Sequence, residues 1–70
     1  MERKKVNSSR IRSVGYDERN HLLEVELSDG SIYQYSGVSP EVHRRFVSAP
    51  TIASFFQDKI EEEFPRKRLR

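Results

Sequence analysis

Apolar and polar residues alternate most regularly between His21 and Leu27, where Leu23, Val25 and Leu27 are separated by Glu24 and Glu26. That period of two predicts a strand over residues 21–28 with one buried face and one wet face. Upstream, Ile11, Val14 and Tyr16 lie in a short run that stops at Asp17-Glu18-Arg19-Asn20, which reads as a strand over residues 10–16 followed by a turn. Downstream, Ser28-Asp29-Gly30 supplies a tight turn into a third strand, residues 31–36, rich in Ile and Tyr. The length of that turn decides where Tyr33 and Tyr35 point. A three-residue loop with Gly30 left-handed sets Val25 opposite Tyr33 and Leu23 opposite Tyr35, on the apolar side. A two-residue Asp29-Gly30 turn pairs Glu26 with Tyr33 and Glu24 with Tyr35, on the wet side. The first aligns the apolar periods of both strands and is preferred, and the second stays open.

After Gly37 the period changes. Ser39-Pro40-Glu41 places an N-cap serine, a proline at the first helical position and an acid in the first turn, so a helix is predicted over residues 39–48 with Val42 and Phe46 inward. Pro50 stops it. A second helix is predicted over residues 51–63, capped by Thr51, with Ile52, Phe55, Phe56, Ile60 and Phe64 inward and Gln57, Asp58, Glu61 and Glu62 outward, before Pro65 ends it. The fold class is therefore α+β: a three-stranded antiparallel β-meander followed by two helices packed on one face. Residues 1–8 show no apolar period and read as a flexible basic N-terminal arm, residues 9–64 as a single domain, and residues 65–70 as a basic C-terminal tail.

Composition narrows this further. Seventy residues that are 34% hydrophobic hold one small core at most. The absence of cysteine excludes a disulfide framework and a thiolate zinc site and suits a reducing, cytoplasmic setting. No apolar run is long enough for a signal peptide or a membrane span. The net charge of +2 is uneven: residues 1–12 carry +4, residues 13–57 carry −3 and residues 58–70 carry +1. Basic ends around an acidic middle permit contact with polyanions, while the field of the whole domain is weak.

No grouping of nucleophile, base and orienting acid is visible, so no catalytic residue is expected, and neither metal, cofactor nor small-molecule substrate is indicated. His21 beside Asn20 and His43 on the first helix have no catalytic company in sequence, and Ser8 and Ser9 read as backbone-bonding residues at the start of the first strand. Glu24 and Glu26 share a strand face that a hard cation or an acid and base pair needs, but the alternation already accounts for them. Two features are left. Arg3, Lys4, Lys5, Arg10 and Arg12 in front, with Arg66, Lys67, Arg68 and Arg70 behind, converge into a phosphate-binding surface if the first strand lies near the chain's end in space. Tyr33 and Tyr35 share one sheet face, where exposed rings stack on splayed bases, although in so small a domain core packing is the stronger reading.

Ser8-Ser9, Ile11, Gly15-Tyr16-Asp17, Leu23, Val25, Gly30, Tyr33-Gln34-Tyr35, Val38, Pro40, Val42, Ala49, Phe56 and Ile60, in this order and spacing, resemble the KTSC domain over residues 8–65. That domain is named for the C-terminus of some lysyl-tRNA synthetases and also occurs as short stand-alone bacterial proteins. The resemblance implies no catalytic residues and suggests RNA, either tRNA or single-stranded, as a partner. The chain departs from the family pattern at Thr51, Ala53, Phe55 and Gln57, at Glu61 after Ile60 where a base is common, and at His43 where tyrosine is common; a phosphate-facing role for the second helix is weakened accordingly. The expectation is a non-catalytic binding module for RNA, with a protein-interaction or self-associating module, resting on an apolar patch at Ile52 to Phe56, as the alternative.

Overall fold

The computed structural model describes residues 3–6 and 8–70; Met1, Glu2 and Asn7 of the expected arm lie outside the described residues. The chain forms a five-stranded antiparallel sheet in sequence order: β1 (Arg3–Lys5), β2 (Ile11–Asp17), β3 (Leu22–Leu27), β4 (Ile32–Ser36) and β5 (Arg66–Arg68). Between β4 and β5 come α1 (Pro40–Val47), the short α2 (Ile52–Phe55) and a π-helical segment, Phe56–Glu61. The expected meander of three strands is thus the centre of a larger sheet. The basic segments read as arm and tail are its two edge strands. Their sequences hide this because three charged residues in a row show no alternation, and an edge strand needs only backbone groups to pair.

The β3–β4 hairpin follows the preferred alternative. The Gly30 N–H donates to the Leu27 carbonyl at 3.0 Å, Gly30 is left-handed at φ 92°, and Val25 lies opposite Tyr33 and Leu23 opposite Tyr35. The Asp29 carboxylate accepts from the Ser31 N–H at 2.9 Å and from the Ser31 hydroxyl at 2.6 Å, which holds its pKa below the usual carboxylate value. A Cβ at Gly30 would meet no atom within 4 Å, so Gly30→Ala tests backbone conformation alone. The expected result is a loss of about 1–2 kcal/mol in urea unfolding with the binding properties unchanged.

An irregularity in β2 builds the core. Ile11 pairs with Leu27 and Ser13 with Glu26, so Arg12 is an extra residue that bulges outward. Were Arg12 paired in regular alternation, with no bulge, Ile11 would share a face with Ser13 and Gly15. With the bulge, Ile11 turns to the same side as Val14, Tyr16, Leu23, Val25 and Tyr35. On that side Phe46 of α1 and Phe56 and Ile60 of the π segment join them in one buried cluster, to which Val38 also belongs. Phe56 meets Tyr35 edge-on at 5.7 Å between ring centroids, and Phe46 lies 5.9 Å from Phe55 and 6.2 Å from Phe56.

α1 has the predicted caps. The Ser39 hydroxyl accepts from the Val42 N–H at 3.3 Å, Pro40 occupies the first turn, and Arg45 reaches back to Glu41 at 2.7 Å. The second helix departs from expectation: Thr51 sits at the N-cap without a side-chain bond, and the winding widens to i→i+5 bonding from Phe56, a change with no sequence signal. Phe56 and Ile60 remain inward and Gln57 and Asp58 exposed, as the pattern required.

Candidate nucleic-acid interface

The antiparallel register sorts the candidate residues onto two faces and two edges. On the open face, away from the core, a row runs from Arg3 through Gly15, Glu24 and Gln34 to Lys67. Arg3 reaches across Gly15, which has no side chain to obstruct it, and pairs with Glu24 two strands away. Glu26 collects Arg12 at 3.8 Å, Arg70 at 4.0 Å and the Ser13 hydroxyl at 2.9 Å. The two glutamates are therefore cross-strand partners of the chain's own arginines. Among the described residues, no three His, Cys, Asp or Glu side chains gather as a metal site. Arg10 is also engaged, with Gln57 at 3.3 Å and Glu61 at 3.6 Å, tying the start of β2 to the π segment.

The basic ends converge only in part: Arg12 and Arg70 meet at Glu26, but the edge strands stay apart. β1 and β5 form opposite edges with three strands between them, roughly 19 Å apart at the usual interstrand spacing, so no single phosphate can touch both. At the β5 edge, Arg66 and Arg68 point to the core side, opposite Tyr35 and Tyr33. The Arg66 guanidinium lies 4.5 Å from the centroid of the half-buried Tyr33 ring and that of Arg68 6.0 Å. These side chains cover the end of the core with their stems and cation–π contacts while their charges stay in water.

Tyr35 is wholly buried, which removes it from the stacking candidates. Its hydroxyl makes no hydrogen bond of good geometry, although the Arg66 guanidinium lies beside it. Burial pushes its pKa up, and the neighbouring Arg66 charge opposes that only in part. An unpaired buried hydroxyl costs stability, so Tyr35→Phe, which removes the oxygen and keeps the ring, is expected to leave stability equal or raise it by about 1 kcal/mol in thermal unfolding. A clear loss would instead assign the oxygen a partner.

At the β1 edge the structure makes an arrangement that the sequence did not signal. The Tyr16 hydroxyl donates to the Val38 carbonyl at 2.5 Å, and its ring stacks on His43 with centroids 4.3 Å apart and planes within 7°. Burial, assisted by the Lys4 charge, holds the His43 pKa below its usual value, so the ring is neutral at pH 7. This pair forms one wall of an open groove of about 620 Å³ between β1 and α1; Val14 also lines it, with Lys4, Lys5 and Arg44 as bases and Glu18 as the acid. Tyr16 and His43 come from separate elements, and no spacing rule connects them.

The apolar patch expected at Ile52 to Phe56 is mostly covered. Phe56 is buried, Ile52 and Phe55 are half-buried against the core, and the exposed large hydrophobics among the described residues are Val47 and Leu69. No described helix is long and apolar enough to cross a membrane.

The KTSC domain family model matches residues 7–64. The chain belongs to the KTSC domain family. A KTSC domain protein from Yersinia pestis, known from its crystal structure, superposes with a TM-score of 0.92 at 38% identity, covering 99% of this chain and 97% of that one. An uncharacterized protein of Stutzerimonas stutzeri is 36% identical over 66 residues, which are 94% of this chain and 93% of the relative. A lysine–tRNA ligase of Nostoc punctiforme is 29% identical over 65 residues, 93% of this chain but 12% of the ligase. The Stutzerimonas stutzeri relative is uncharacterized, and nothing among the described residues of the site indicates catalysis.

Proposed function

We propose that this KTSC domain is a non-catalytic binding module that takes RNA by its phosphates along the two basic edges of the sheet. The observation that carries this is the division of the cations: Arg3, Arg10, Arg12 and Arg70 are held by carboxylates of the fold, whereas Lys4, Lys5, Arg66, Lys67 and Arg68 form no ion pair among the described residues. Charges without a partner are available to polyanions and supply a salt-dependent affinity. The presence of a similar segment in a lysine–tRNA ligase supports RNA as the polyanion. Arg66 and Arg68, fixed over Tyr33, offer pre-ordered guanidinium groups at one edge.

Fluorescence anisotropy with labelled single-stranded RNA and with tRNA, at low and moderate salt, tests this. The intact chain is expected to bind at low salt with an affinity that falls steeply as salt rises. The double variant Lys4→Glu and Lys5→Glu, and Lys67→Glu separately, should weaken binding several-fold and flatten the salt slope by about one unit per lost contact. Absence of binding to either RNA at low salt would sink the proposal.

A further inference from the structure

We infer that the groove between β1 and α1 is a subsite for one nucleotide of an RNA strand, its base against the Val14 floor and the Tyr16–His43 wall and its phosphate at Lys4 and Arg44. This rests on the RNA reading and deepens it. The groove lies within the range of about 300–1,000 Å³ typical of small-ligand sites, and its lining combines an apolar floor with a basic rim. Bases on two separate elements, Lys4 on β1 and Arg44 on α1, bracket the groove, and Glu18 alone opposes them. That unbalanced rim selects an anion, and the flat, neutral wall selects a ligand with a π face. A nucleotide has both. The wall is rigid before binding because Tyr16 is anchored at its hydroxyl by the Val38 carbonyl and on its face by His43, so little ordering is required of the protein. Lys4 is positioned as well: it lies opposite Val14, on the core side of the sheet, and its charge is felt by His43.

Amide shifts of labelled protein distinguish the outcomes. A nucleoside 5′-monophosphate is expected to give saturable shifts at Val14, Tyr16, His43 and Arg44, with about tenfold weaker binding for the nucleoside alone and for inorganic phosphate alone. Short single-stranded RNA should shift the same amides. Arg44→Glu, at an exposed position, should weaken both ligands about tenfold while its spectrum stays dispersed as in the folded chain. If RNA shifts only Arg66 to Arg68 and leaves the groove silent, the subsite is overturned and the RNA reading stands. If inorganic phosphate matches the monophosphate, or Arg44→Glu changes nothing, the nucleotide subsite is also overturned. No shift anywhere at low salt overturns both.

Discussion

Phe56→Ala is expected to abolish cooperative folding. The ring is buried where three parts of the molecule meet: Tyr35 of β4 touches it edge-on, Phe46 of α1 lies 6.2 Å away, and it opens the π segment whose Ile60 is buried beside it. Truncating a buried phenylalanine costs about 3–5 kcal/mol in lost transfer energy and residual cavity. A 70-residue domain without disulfides is stable by a margin of similar size. Far-ultraviolet circular dichroism during urea titration should therefore show no native baseline for the alanine variant. Phe56→Leu, which keeps most of the volume, should retain a transition at lower urea. An alanine variant within about 1 kcal/mol of the intact chain would mean that the ring does not anchor the core.

Deletion of Arg12 should be tolerated far better than truncation of its neighbour Ile11. Arg12→Ala removes a partly exposed ion pair with Glu26, which keeps Arg70 and Ser13 as partners, and a 3.1 Å bond to the Ser28 carbonyl, a loss of about 1 kcal/mol. Deletion also removes the bulge. Regular pairing then seats Ile11 directly beside Ser13, still opposite Leu27 and still on the core side, so the buried cluster keeps its isoleucine. Ile11→Ala, by contrast, empties a fully buried position at a cost of about 2–5 kcal/mol, so it should unfold at much lower denaturant than the deletion variant, whose amide exchange should still protect β2. A deletion variant as unstable as Ile11→Ala would show that the bulge itself, and not the side that Ile11 takes, holds the start of β2.

Those two positions also mark how far local pattern carries. Leu23, Val25 and Leu27 announced their strand and its buried face because alternation repeats within one segment. Ser39-Pro40 announced the start of α1 because capping is a local hydrogen-bonding requirement. Even the hairpin register could be narrowed to two choices, since one loop length aligned the apolar periods of both strands. Ile11, Val14 and Tyr16 were legible as a strand, but their broken period made sense only once the bulge at Arg12 was seen. The edge strands were not legible: Arg3–Lys5 and Arg66–Arg68 pair through the backbone, which every sequence has, and their charged side chains look the same in a tail as at a sheet edge.

The candidate site divides along the same line. Which residue types are present was readable in advance: an excess of terminal bases, two alternating glutamates and three tyrosines. Composition also limited the chain to one small core. What the bases do depended on the topology. Antiparallel order put the two basic segments on opposite edges, brought Glu24 and Glu26 within reach of Arg3, Arg12 and Arg70, and set Arg66 and Arg68 over Tyr33. The same packing stacked Tyr16 on His43 and opened the groove beside Lys4 and Arg44. The three central strands, α1 and most of the buried set follow from patterns within single segments, which a sequence displays directly. Ion pairing, ring stacking and the groove arise from contacts between distant segments, and those exist only once hydrophobic burial has chosen one packing.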